Sequence, residues 1–332
     1  MGCYINKIGI HLPENILTND ELASLFPEWN SNAIFEKIGI KQRHVVSENE
    51  TALDLAVSAS EKVLEKFDRN DLDFLILCTQ SPDYYLPTSA CIVQDKLGLR
   101  TNIGAFDFNL GCSGFIYGLA ISKGLIEINL AENVLLIMAE TYTKHIHPKD
   151  KGNRSIFGDG AAALIISHCP NEQILDFELG TDGKGMNNLI VPNGGLRNRF
   201  NPAEQYYLDD NNNIRNNNCL YMNGPEIFDF TIDKIPALFA STLEKNNLTL
   251  DSIDYVIFHQ ANKYMLDYLR KRLMIPQEKF YQNMEDTGNT VSATIPVALK
   301  DALEKGFIGK GDKVLIAGFG VGYSWGATVI EI

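Results

Sequence analysis

Apolar residues along the chain fall into two alternating patterns. Short β-branched or apolar runs predict strands at Phe74–Cys78, Ile103–Phe108, Val134–Ala139, Ala161–Ile166, Tyr255–Phe258, Val314–Ala317 and Thr328–Ile332. Between them, segments of helical period run over Thr51–Phe67, Thr88–Leu97, Ser113–Ile128, Pro225–Lys245, Lys263–Leu273 and Ile295–Lys305. Strands that are apolar throughout, rather than alternating, predict sheets covered on both faces by helices. The expected class is α/β.

The pattern repeats in order. Asp71-Leu72-Asp73-Phe74-Leu75-Ile76-Leu77 is similar to Ser252-Ile253-Asp254-Tyr255-Val256-Ile257-Phe258. Glu132-Asn133-Val134-Leu135-Leu136-Ile137 is similar to Gly311-Asp312-Lys313-Val314-Leu315-Ile316, and Phe157–Ile165 to Gly322–Ile330. Two related halves are expected, residues 1–170 and 171–332, with sites where they meet. Gly180–Cys219 breaks the alternation with glycines, prolines and the Asn-rich run 209–218. It reads either as an exposed hairpin or lid loop, or as a passive surface insertion.

Composition narrows the function. Hydrophobic residues make up 45% of the 332 positions, enough for a large buried core. With 29 Lys+Arg against 42 Asp+Glu, the net charge of −13 argues against nucleic acid or an anionic membrane as main partner. No apolar run nears the roughly 18–20 residues of a membrane helix. The six cysteines show no C-x-x-C spacing, as expected for buried thiols in a reducing compartment, and a cytoplasmic location is expected.

One cysteine has a different setting. In Phe106-Asp107-Phe108-Asn109-Leu110-Gly111-Cys112-Ser113-Gly114-Phe115 a strand gives way to a helix that is expected to start at Cys112. A thiol in the first turn meets free backbone N–H groups and the positive end of the helix dipole, which favour the nucleophilic thiolate. His259 ends the strand Tyr255–Phe258, where α/β proteins place reactive groups, though a structural histidine fits there equally. Asn289 lies in a turn before a helix and offers an uncharged donor or an ordinary cap. The glycine-dense Gly318–Gly326 suggests backbone packed against a site, and it lacks the Gly-Lys-Ser/Thr ending of a phosphate loop. His145 and His147 have no Cys/Asp/Glu cluster to complete a metal site, so no metal is expected.

Four ordered motifs carry a resemblance: Gly-Cys-Ser-Gly-Phe at Cys112, His-Gln-Ala-Asn at His259, Gly-Asn-Thr-x-Ser-Ala at Asn289, and Gly-Phe-Gly-x-Gly-Tyr-Ser-Trp-Gly at the C-terminal end. With Ile38-Gly39-Ile40, Arg43-His44, Phe157-Gly158-Asp159-Gly160-Ala161 and Met222-Asn223-Gly224, nearly the whole chain resembles β-ketoacyl-acyl-carrier-protein synthase III of the thiolase superfamily. The resemblance implies a five-layered αβαβα fold of two pseudo-symmetric halves, a homodimer, and no cofactor beyond thioester substrates. It implies that Cys112 takes an acyl group from acyl-CoA or an acyl carrier. A malonyl-carrier thioester then loses CO₂ while His259 and Asn289 donate hydrogen bonds to the enolate oxygen. The amides of Cys112 and Val321 form the oxyanion hole, and Phe319 is the aromatic beside the sulfur. Asn, rather than Glu, as third polar group favours decarboxylative condensation over the hydroxymethylglutaryl-type reaction.

The resemblance also assigns a substrate path. Lys151 and Gly152 correspond to coenzyme-holding positions, with Lys where arginine is usual. Met222, Gly224, Phe228, Ala261 and Asn262 correspond to the pantetheine tunnel, with Pro225 replacing a polar residue. Leu86 corresponds to the residue that reaches across the dimer to close the acyl pocket. Trp29 lies further from Gly39 than the adenine-stacking tryptophan of the pattern. These departures point to a specialised paralogue, serving surface polysaccharide or secondary metabolism, within a family of fatty acid biosynthesis. Lys263 and Arg270, on one helix face, are expected to form a local basic patch for an acidic acyl-carrier protein, acting within a Debye length of roughly 8 Å. Two other functions stay open from the residues: transfer of the acyl group to a hydroxyl or amine with His259 as base, and a silent partner subunit, which retention of Cys112, His259 and Asn289 argues against.

Overall fold

The computed structural model describes residues 2–209 and 213–332. The first sheet contains β1 (Gly2–His11), β2 (Phe74–Cys78), β3 (Gly104–Phe108), β4 (Asn133–Glu140) and β5 (Gly160–Cys169), in the order β1-β5-β4-β2-β3. The second contains β6 (Glu178–Thr181), β7 (Tyr255–Phe258), β8 (Lys313–Gly320) and β9 (Ser324–Glu331), in the order β6-β9-β8-β7. Strands related in sequence thus hold corresponding places. β2 pairs in parallel with β4 as β7 does with β8, and β4 pairs antiparallel with β5 as β8 does with β9. The fifth place of the second sheet is reduced to one parallel bridge, Val256 with Phe280.

The helices needed here are α1 (Ala52–Leu64), α2 (Ser89–Lys96), α3 (Gly114–Glu127), α4 (Lys151–Ile156), α5 (Gly224–Lys245), α6 (Lys263–Arg272) and α7 (Thr294–Glu304). The layering follows from strand periodicity. On β2, Ile76 faces a central layer while Leu75 and Leu77 face an outer one; on β7, Ile257 faces in while Val256 and Phe258 face out. The central layer holds Phe115, Leu119 and Ile126 of α3 with Ile295, Val297 and Leu299 of α7. One outer layer places Leu55, Ala59 and Val63 of α1 on the first sheet, and the other places Leu266 and Leu269 of α6 on the second. This is the αβαβα arrangement expected. A 2.6 Å hydrogen bond between the Ser113 and Ser324 hydroxyls ties the residue after Cys112 to β9. Among the described residues, no helix is long and apolar enough to cross a membrane.

Three sequence expectations shift. Helix α3 begins at Gly114, with Ser113 as N-cap, so Cys112 precedes the helix rather than opening it. β1 was not anticipated, because its run GCYINKIGIH is half polar; it is an edge strand paired only with β5. α4 was also missed, since six residues of mostly polar sequence carry no period.

Candidate active site

Strand ends and helix starts bring the candidates together. A cavity of about 130 Å³ is lined by Cys112, His259 and Asn289, with Phe319 and Gly320 of β8. Cys112, His259 and Asn289 are 5%, 2% and 4% exposed. Larger surface depressions lie elsewhere, such as one of about 490 Å³ along Lys7, Lys62 and Lys300, but it has no cysteine or histidine in its walls.

The glycine density of β8 has a steric cause. A Cβ on Gly320 would stand 2.8 Å from the Cys112 sulfur, and one on Gly318 would stand 2.6 Å from the Cys112 carbonyl oxygen. Only glycine lets this strand run against Cys112.

Burial pushes the Cys112 thiol up to about 12, with the buried Glu140 carboxyl adding to the rise; hydrogen bonding from the amides of Cys112 itself and Val321 pulls it partly back. This corrects the expectation of a favoured thiolate. Loss of solvation outweighs the local backbone donors, and the resting group is a neutral thiol. Alkylation by iodoacetamide should therefore be slow at neutral pH and rise about tenfold per pH unit, without a plateau below about 12. A plateau near neutrality would contradict this.

His259 is neutral as well, because burial lowers it to about 3. Its Nδ1 lies 2.7 Å from the Thr294 hydroxyl, which donates to the Val291 carbonyl at 3.1 Å. The hydroxyl has one proton; Nε2 carries the imidazole N–H in the tautomer in which Thr294 turns that proton from the carbonyl to Nδ1. Asn289 Nδ2 is 3.5 Å from Nε2. The Asn289 amide is turned this way because its Oδ1 accepts from the Val291 N–H at 2.9 Å. Val291 takes φ 56°, uncommon for a β-branched residue, so the loop is bent to make that bond. Backbone pairing fixes Asn289 further: its N–H donates to the Ile156 carbonyl at 2.9 Å and its carbonyl accepts from Gly158 at 3.0 Å.

The remaining candidates separate. Met222, Gly224, Ala261 and Asn262 line the cavity, as expected. Phe228 does not; it packs on Tyr264 and Tyr268 of α6, with ring centroids at 5.5 and 5.2 Å. Lys151 and Gly152 stand outside the cavity at the start of α4, whose far end supplies Ile156 and Phe157 to the wall. Lys151 Nζ bonds Glu28 at 2.7 Å and lies 5.9 Å from the Trp29 ring. Trp29 is therefore beside Lys151 despite its distance from Gly39 in sequence. Leu86 is 82% exposed, away from the cavity. Val321 is partly exposed at the end of β8. Lys263 pairs with Asp267, and Arg270 folds back onto the Ile275 carbonyl at 3.2 Å.

Sequence reasoning missed Ile156, Leu189, Ile227, Thr231 and Met265 in the wall, and Glu140 behind it. Glu140 is wholly buried and accepts from the Gln80 N–H, Ser81 and Ser292 at 3.1–3.2 Å; burial raises it to about 8. The Phe-Gly-Asp-Gly block at residue 157 was the one signal pointing to Phe157. Among the described residues, no group of three or more His, Cys, Asp or Glu is arranged to hold a metal ion.

Comparison with known proteins gives this geometry a lineage. The family model described as 3-oxoacyl-[acyl-carrier-protein] synthase III matches residues 106–183, and its C-terminal model matches residues 243–332. A β-ketoacyl-[acyl-carrier-protein] synthase III of Caldanaerobacter subterraneus is 39% identical over 329 residues, spanning 97% of this chain and 96% of the relative. That of Clostridium perfringens is 38% identical over 327 residues, spanning 98% and 97%. A crystal structure of a 3-oxoacyl-(acyl-carrier-protein) synthase III superposes with a TM-score of 0.98 at 44% identity, covering both chains fully. The Pseudomonas aeruginosa enzyme of that name superposes at 0.87 with 28% identity, covering 100% of this chain and 98% of its own. Matches on both halves, at full length and with one shared fold, show that the chain belongs to the 3-oxoacyl-[acyl-carrier-protein] synthase III family of condensing enzymes.

Proposed function

We propose that the chain joins an acyl thioester to a malonyl-carrier thioester by decarboxylative Claisen condensation, through an acyl-Cys112 intermediate. The observation that supports this is the meeting of the Cys112 thiol, the neutral His259 imidazole and the Asn289 carboxamide, all three buried, in a single cavity. Cys112 sulfur attacks the thioester carbonyl, the amides of Cys112 and Val321 stabilise the oxyanion, and the leaving thiolate takes the thiol proton. The malonyl carboxylate then leaves as CO₂. Its electron pair forms an enolate, whose oxygen accepts from Asn289 Nδ2 and His259 Nε2–H. Neutral donors suit this step, because the imidazole keeps its proton rather than surrendering it to the enolate. The enolate carbon attacks the acyl-Cys112 carbonyl, and collapse expels the Cys112 sulfur as a thiolate, which takes one proton from solvent to return to the thiol. Phe319, with its ring 6.0 Å from that of His259, closes one side.

The substrate path follows the same reading. Met222, Gly224, Ala261 and Asn262 border the pantetheine arm, with Phe228 behind them, and Lys151 with Gly152 holds the phosphate end of coenzyme A. A second copy of the chain covers Tyr84, Tyr85 and Leu86, which are consecutive and 61%, 74% and 82% exposed. Lys263 and Arg270 flank Asp267, whose carboxyl is held below the usual carboxylate range against its partial burial by hydrogen bonds from Lys263 and Gln282, with the charges of Lys263 and Arg270 adding to them. Reversing Lys263 to Glu should raise KM for a carrier substrate about tenfold while leaving that for acyl-CoA unchanged. Equal KM values for the carrier substrate would remove the patch.

The reading is tested by supplying acyl-CoA and malonyl-carrier and counting products. One CO₂ should appear for each 3-oxoacyl thioester. Acyl turnover without CO₂ would indicate transfer to a hydroxyl or amine instead.

A further inference from the structure

The segment that interrupts the strand–helix alternation is tied to α4. Asn213 Oδ1 accepts from the Gly152 N–H at 3.1 Å. Arg215, 5% exposed, forms an ion pair with Asp150, 1% exposed. Arg215 Nε and Asn213 Nδ2 both donate to Asp209 at 2.9 Å. Asp150 is the N-cap of α4 and accepts from the Asn153 N–H at 3.0 Å and its side-chain amide at 2.8 Å. The other end of the helix is held independently. Arg43, wholly buried, donates to the Ser155 carbonyl at 2.7 Å, and Ile156 and Gly158 pair with the Asn289 backbone.

A helix of six residues is too short to hold itself. Its two ends have different duties: the start carries Lys151 and Gly152, while the finish supplies Ile156 and Phe157 to the cavity and steadies Asn289. The clamps are likewise separate. Arg215 and Asn213 act on the start; Arg43 acts on the finish.

We propose that Arg215 is a positioning residue for the nucleotide end of the thioester substrate, with Asp209, Asn213 and Arg215 together serving as a strap that sets the start of α4. This rests on the reading of Lys151 and Gly152 as coenzyme-holding residues. The strap fixes where the phosphates are met and leaves the chemistry to the other end. It also gives the insertion a role in place of a passive surface loop.

The test compares two acyl donors to Cys112 in the full-length protein: acyl-CoA, and acyl-pantetheine, which lacks the nucleotide. In Arg215→Gln, the acyl-CoA concentration that half-saturates Cys112 acylation should rise about tenfold, with the maximal rate within about twofold of the parent. With acyl-pantetheine both quantities should match the parent. Arg215→Lys, which keeps the charge opposite Asp150, should recover part of the acyl-CoA effect. Should Arg215→Gln fail to fold, Asn213→Ala removes the Gly152 and Asp209 contacts of that side chain, leaves the Arg215–Asp150 pair in place, and should shift the same quantity by a smaller factor. An equal loss on both donors, or no change on either, overturns the proposal. Failure of the underlying functional reading looks different: the unmodified protein would then form no Cys112 adduct from either donor.

Discussion

Cys112→Ala should form no acyl adduct with any acyl-CoA, yet should still release CO₂ slowly from a malonyl thioester. The two half-reactions use different groups. Acylation needs the sulfur, since Cys112 is the one thiol that lines the cavity among the described residues. Decarboxylation needs donors toward the enolate oxygen, and those belong to His259 and Asn289. The substitution removes little volume, and Gly320 already keeps the adjacent backbone clear of the sulfur. Condensation should fall by at least about 10⁴-fold, as when a nucleophile is removed from a working set. Intact-mass spectrometry reads the first half-reaction and CO₂ release the second. An adduct on the alanine variant would place the nucleophile elsewhere.

Asn289→Ala and His259→Ala should show the converse. Each keeps the thiol and both amides, so each should still accept an acyl group. Each loses one donor to developing negative charge at a buried position, worth about 3–4 kcal/mol, so decarboxylation should fall roughly 10²–10³-fold. The Asn289 effect has a structural check. Its carboxamide is aimed by the Val291 N–H, so Asn289→Asp keeps that acceptor but removes the donor. It should be as impaired as the alanine variant. Equal rates of decarboxylation in Asn289→Ala and the parent would remove Asn289 from the chemistry.

The sequence carried the strand–helix alternation because sheets covered on both faces need continuous apolar strands; β2, β4 and β8 are of this kind. The order of repeated blocks anticipated that β7, β8 and β9 would echo β2, β4 and β5. Edge elements were silent. β1 is half polar because its burial is incomplete, and β6 has exposed positions at Leu179 and Thr181. The separation of Phe228 from the cavity depends on the rotation of α5, which lies beyond residue spacing. The charge state of Cys112 also lay beyond local reading. A helix start argues for thiolate, but the protonated state is decided by burial and by Glu140, which lies one residue past the predicted strand Val134–Ala139 and ends β4 in the structure. Trp29 shows the same limit: it is distant from Gly39 in the chain and adjacent to Lys151 in space.

The most direct measurement loads the enzyme with acyl-CoA, removes free thioester, maps the added mass by peptide sequencing, and then adds malonyl-carrier. The mass should sit on Cys112, and it should disappear as one CO₂ and one 3-oxoacyl-carrier form. An adduct on another residue, or one on Cys112 that persists while CO₂ is released, would contradict a single site in which sulfur, imidazole and carboxamide act on the same pair of substrates.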